Sequence, residues 1–205
     1  SVTKMSSKSV PCAERALRSA SAPSAPRTKH AVETIAKTAP QSADAARLAA
    51  AVEAANAAVI EAALNGLGKP GMGCTATCAY IENDTLAIAH VGDSRAYLLH
   101  EGTLIRVTRD HSYVEELVDA GEITADEARV HPNRSVITRA LGSDPAMYAD
   151  HFTLHIEEGD RLILCSDGLS SMIPDSDIEN IATQSSTAQI CVDNLVDAAL
   201  AAGGH

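Results

Sequence analysis

Between residues 65 and 73 the chain changes period, and that change limits the folds open to it. Before it runs ADAARLAAAVEAANAAVIEAALN; after it come short apolar runs separated by turn residues. In the first segment Leu48, Val52, Ala55 and Val59 fall on one face at steps of four and three, with Ile60 and Leu64 extending the stripe. Twelve of the 21 residues from Ala43 to Ala63 are Ala, so this predicted helix lets a neighbour approach closely. Ser42 is placed to cap its start, and Gly66 stands just past its end.

After Gly71-Met72-Gly73 the period is two. CTATCAY (74–80), TLAIAHV (85–91), RAYLL (95–99) and TLIRV (103–107) predict four strands, joined at Glu82-Asn83-Asp84, Gly92-Asp93-Ser94 and Glu101-Gly102. Four strands with tight turns read as an antiparallel meander. Helical patterns return at 112–121 and 124–130, the second with Thr124 as cap and Glu127 at the capping-box position. Two further strands, 151–156 and 161–166, precede closing helices at about 175–183 and 187–201. Strands in two groups, with helices before and after, predict an α+β layered domain rather than a parallel βαβ wind.

Residues 1–30 are of another character. They hold seven Ser, six basic residues and one acidic residue, with SASAPSAP showing no period at all. Such a segment cannot bury an apolar face and reads as a basic, linker-like or disordered tail, which leaves 31–205 as the domain.

The 205 residues are 45% apolar and 21% charged, the balance of a globular chain, and one Phe with four Tyr leaves the core aliphatic. A formal net charge of −11 argues against nucleic acid as a partner and favours attraction of divalent cations. With no apolar stretch of about 18 residues and no apolar signal-peptide region at the start, the expected setting is the cytoplasm. Five cysteines at wide spacings do not describe a disulfide framework, and Cys74 and Cys78 lack the second pair of a zinc site. Buried thiols are the expectation.

The chemistry gathers at HVGDSRAYLL (90–99) and LILCSDGLS (162–170). Each places an Asp beside a Gly at the end of an apolar strand, a common way to build a magnesium or manganese site, so Asp93 and Asp167 are the candidate ligands. By local composition alone the plainer reading, that both are turn residues, stands ahead.

The order of motifs changes that balance. GMGCTAT, HVGDSRAYLL, TRDHSYVEELVDAGEIT, HPNRSVITRALG and GDRLILCSDGLS, in this sequence from about Gly71 onward, closely resemble the bacterial branch of the metal-dependent serine/threonine protein phosphatases, the PPM or type 2C family. The resemblance implies a four-layer αββα sandwich of two antiparallel sheets. It also implies hydrolysis of phosphoserine and phosphothreonine on proteins with two Mn²⁺ or Mg²⁺ ions and in some members a third. Asp167 then corresponds to a ligand of the second and third ions, and Asp93 to a ligand of the third. Gly92 and Gly168 take structural roles at the site. Residues from about Asp110 to Leu141 correspond to a flap from which His111, His131 and Arg134 are weaker candidates for meeting substrate.

The family's DGMGGH segment and its C-terminal Asp-Asn are not found in these residues, so the expected domain is incomplete at both ends. No catalytic acid or base is assigned, and little manganese-dependent turnover is expected of the 205-residue chain. The implied partners are phosphoproteins and a serine/threonine kinase acting on the same targets, with the chain a monomer. The alternative is a non-catalytic phosphatase-like module that binds a phosphoprotein or kinase.

Overall fold

The computed structural model describes residues 2–4 and 44–204, and the chain divides into two compact units. One unit holds residues 44–92 and 136–156 among those described. Its helix α1 (Ala45–Leu64) lies on a three-stranded antiparallel sheet of order β2-β3-β6, with β2 Ala76–Glu82, β3 Thr85–Val91 and β6 Asp150–His155. The predicted stripe is the contact: Leu48, Val52, Ala55 and Val59 are fully buried and pack with Ala87, Ala89 and Val91 of β3. Its extension fails, because Leu64 is 82% exposed at the last turn. The cap also differs from expectation. Asp44, whose side chain accepts from the Arg47 amide, begins the helix, and Ser42 lies outside the described residues.

Within the stripe one polar residue is buried. Asn56 donates from Nδ2 to the Asp144 carbonyl (2.8 Å) and accepts from the Gly142 amide (2.6 Å), which ties α1 to the loop after Leu141. That loop presses against the GMG segment: Cys74 and Leu141 exchange backbone bonds, and a Cβ on Gly142 would stand 2.4 Å from the Met72 carbonyl oxygen.

The other unit holds residues 2–4, 93–135 and 157–204 among those described, with a four-stranded antiparallel sheet of order β1-β7-β4-β5. Its strands are β1 Val2–Lys4, β4 Arg95–His100, β5 Thr103–Arg106 and β7 Arg161–Cys165. The helices are α2 (Tyr113–Asp119), α3 (Ala125–Val130), α4 (Asp167–Ser170), α5 (Asp175–Gln184) and α6 (Ala188–Ala201). Its core gathers Tyr97, Leu99 and Ile163 with Ile178, Ala182, Cys191 and Leu195. Thr124 and Glu127 form the predicted capping box on α3. The two residues Glu101-Gly102 join β4 to β5 with φ of 48° and 81°, the positive values that a two-residue hairpin of matching twist requires.

The α+β class with two antiparallel sheets is as expected, but the four-strand meander is not. β3 pairs with β2 and β6, and β4 pairs with β5 and β7, so Gly92-Asp93-Ser94 passes between sheets and is not a hairpin turn. The four-residue α4 was not predicted at all. Of the expected tail, only β1 falls among the described residues. No helix among the described residues is long and apolar enough to cross a membrane.

Candidate metal-binding site

The register of β4 against β7 brings the two candidate carboxylates together. Arg95 stands opposite Cys165 in this antiparallel ladder. Asp93, two residues ahead of β4, and Asp167, two residues past β7, therefore lie at the same end of the strand pair, near enough for the charge of Asp167 to act on Asp93. Strand β7 stops at Cys165, and Ser166 leads into α4, of which Asp167 is the first residue. On the other side Gly92 turns with φ +109°, and a Cβ there would stand 2.3 Å from Thr75 Cγ2. Glycine is required at that step, and the residue after it is Asp93.

The two acids influence each other's charge. The Asp93 carboxyl is held above its ordinary value of 3.8, first by burial and then by the charge of Asp167, with its own backbone amide opposing. Among the described residues no ion pair involves Asp93 or Asp167. The neighbouring acid Asp110 is engaged otherwise. It accepts two bonds from Arg95 Nε and one from Nη2 (2.7 Å), and Arg106 Nη2 lies 2.9 Å from its other oxygen. Arg106 also meets Glu115 of α2 at 3.0 Å. The Arg95 guanidinium donates to the Tyr97 hydroxyl (3.0 Å), which donates to Asp175 at the start of α5 (2.9 Å).

Two neighbouring carboxylates suit a hard divalent cation, because oxygen donors match Mg²⁺ or Mn²⁺ and such ions keep several waters when held by one or two carboxylates. The donor set therefore fits. Among the described residues, no group of three or more His, Cys, Asp or Glu side chains stands ready to hold a metal ion. Among the described residues Cys74, Cys78, Cys165 and Cys191 form no disulfide, and burial pushes the Cys165 thiol up to about 11.

The other predicted site residues lie as follows. His111 is inside the fold, 2% exposed, and so does not present its ring at the surface. His131 ends α3, where its Nδ1 accepts from the Asn133 amide and its ring lies 6.0 Å from that of Tyr113. Arg134 is exposed. Gly168 has an ordinary φ, and a Cβ there would meet only Ser166 Oγ, at 3.3 Å. The Arg95–Asp110–Arg106 network was missed, although Arg95 stands in GDSR and Asp110 in TRDH. Only the pairing of strands shows that these motifs meet.

Its two antiparallel sheets with helices give the chain an α+β fold like that of bacterial serine/threonine phosphatases. The chain belongs to the protein phosphatase 2C family, whose model matches residues 24–205. It is 38% identical over 135 residues to the serine/threonine phosphatase stp of Listeria monocytogenes, covering 66% of this chain and 54% of that protein. It is 40% identical over 162 residues to the serine/threonine protein phosphatase PstP of Mycobacterium tuberculosis, covering 78% of this chain and 30% of that protein. The chain thus spans about half the length, or less, of these curated relatives. Among solved structures it resembles the M. tuberculosis phosphatase PstP/Ppp with a TM-score of 0.78 at 34% identity, over 87% of this chain and 78% of that one. The PstP catalytic domain in complex with two manganese ions gives 0.77 at 32% identity, over 87% of this chain and 75% of that one.

Proposed function

We propose that the chain carries part of the metal site of a protein serine/threonine phosphatase, acting with Mn²⁺ or Mg²⁺ on phosphoserine and phosphothreonine in proteins. The observation that supports this reading is that the β4–β7 pairing ends with Asp93 and Asp167 on the same side, close enough for the charge of one to act on the other. Membership of the phosphatase 2C family and the two manganese ions of the PstP catalytic domain support it. When bound, such an ion draws charge from a phosphoryl oxygen and acidifies water.

The chain's own residues do the rest. Asp93 and Asp167 bind the cation, and Gly92 fixes the turn into Asp93. Arg95 and Asp110 hold the start of β4 against the segment leading to α2, and His131 and Arg134 are the flap residues proposed to meet a phosphopeptide. The substrate would be the product of a serine/threonine kinase.

Two carboxylates serve one ion that keeps its waters, whereas two ions would each ask for about six oxygens. The expected result is Mn²⁺ binding by the 205-residue chain, with phosphopeptide hydrolysis far slower than that of the PstP catalytic domain. Both should be lost with chelator and in Asp167→Asn. Hydrolysis that survives chelation, or Mn²⁺ binding untouched in Asp93→Asn and Asp167→Asn, would overturn the reading. Phosphopeptide binding with no turnover, unaltered in the double variant, would establish the non-catalytic alternative.

A further inference from the structure

Helix α3 buries none of its side chains, so apolar packing does not hold it in place. What joins it to the Asp167 turn is one guanidinium. Arg129 Nη1 donates to the Ser170 carbonyl (3.1 Å) and Nη2 to the Ser171 carbonyl (3.4 Å), across more than 40 residues of sequence. These two carbonyls close α4, the single turn that Asp167 opens.

Such a turn depends on outside donors, since the last four carbonyls of any helix lack partners within it and α4 has only four residues. Ser170 is buried, 4% exposed, which puts its carbonyl in need of a protein donor. At the other end, Ser166 caps α4 without a side-chain hydrogen bond. The turn is therefore gripped from its C-terminal side. Within it, the Ser171 amide and hydroxyl both donate to the Asp167 carbonyl, so the residue that Arg129 grips is also the one bonded to Asp167.

We propose that Arg129 is a positioning residue for Asp167: its fork on Ser170 and Ser171 fixes the turn that aims the carboxylate, and so couples the order of α3 to cation binding. The inference rests on the reading that Asp93 and Asp167 hold a divalent cation. Arg129 itself touches neither carboxylate. By linkage the coupling runs both ways, so a cation bound at Asp167 should steady α3 as much as α3 steadies the site.

The test uses the whole 205-residue chain, with free Mn²⁺ followed by electron paramagnetic resonance and backbone order by hydrogen exchange. Arg129→Met keeps the apolar stem and removes the fork. Because Arg129 acts on Asp167 only through the turn, the substitution should weaken Mn²⁺ binding by up to roughly tenfold, the lower end of the loss seen for partners bonded directly to a ligand. It should also speed exchange at the Ser171 and Met172 amides without metal, leaving exchange in α1 unchanged. Arg129→Lys, able to reach one carbonyl at a time, should fall between. Wild-type affinity in Arg129→Met, or exchange accelerated throughout the chain, would overturn the proposal. Binding lost in Asp167→Asn but unchanged in Arg129→Met overturns this inference alone, whereas a wild-type chain that binds no Mn²⁺ overturns the cation reading as well.

Discussion

The two glycines beside the candidate ligands have different work. Gly92 turns at φ +109°, in a region that L side chains rarely adopt, and a Cβ there would overlap Thr75 at 2.3 and 2.5 Å. Thr75 is β-branched and next to strand backbone, so it cannot swing aside cheaply. Gly92→Ala should therefore destabilise the protein by about 3 kcal/mol, from positive-φ strain and overpacking together. Gly168 has an ordinary φ, and a Cβ there would press only on Ser166 Oγ at 3.3 Å, the end of a rotatable side chain. Gly168→Ala should cost less than about 1 kcal/mol, within the range of a tolerated small change. Thermal melts of the two variants side by side check the contrast. Equal losses would show that the Asp-Gly pairs at the two strand ends are interchangeable, against the geometry.

Strand β4 and the turn ahead of β7 are joined by a titratable contact. His100 Nδ1 lies 2.8 Å from Asp160 Oδ1, and the other oxygen of Asp160 accepts from the Glu157 amide at 2.9 Å. The hydrogen bond to Asp160 holds His100 above its ordinary 6.5, with the charges of Asp160, Glu101 and Glu157 adding to it. A group whose folded value is raised gives stability that is complete below 6.5 and disappears as pH rises through the raised value. Urea midpoints should fall as pH rises from about 6.5 through the raised value, and His100→Gln should flatten that part of the profile. An unchanged slope in His100→Gln would assign the titration to another group. At this scale the elements themselves were legible where local chemistry decides them. The α1 stripe, the Thr124–Glu127 box and the turn at Glu101-Gly102 all follow from neighbours in sequence. Pairing was not legible, because β3 with β6 and β4 with β7 join strands some 60 residues apart and a period of two says nothing of which strand comes alongside. For the same reason Asp93 and Asp167 could be named as candidates from their settings, while their nearness, Arg95 on Asp110 and Arg129 on α4 could not. α4 was missed because four residues opening on Asp-Gly look like a turn.

Over the whole chain, the net charge of −11 makes every cation stabilising to some degree, so a rise in melting temperature with Mn²⁺ does not by itself show a site. The acidic excess lies after residue 30, since the first 30 residues carry six basic groups and one acidic one. Screening of that excess depends on ionic strength and should raise the melting temperature of every variant alike. A site at Asp93 and Asp167 makes a different demand. Without an ion, Asp93 is held above 3.8, so its charged form works against folding and stability falls as pH rises through the raised value. An ion between the two carboxylates reverses that sign and adds binding energy of about 2.7 kcal/mol at a hundredfold excess over Kd. For a chain of this size that corresponds to a rise of about 5–10 °C. At constant ionic strength, with Mn²⁺ replacing Na⁺, the wild type should show this rise at neutral pH and Asp93→Asn should lose it, while the apo form of Asp93→Asn melts no lower than the wild type because a repulsive charge has been removed. Equal Mn²⁺ shifts in both proteins would mean that the ion acts on the acidic surface as a whole and that the strand ends hold nothing.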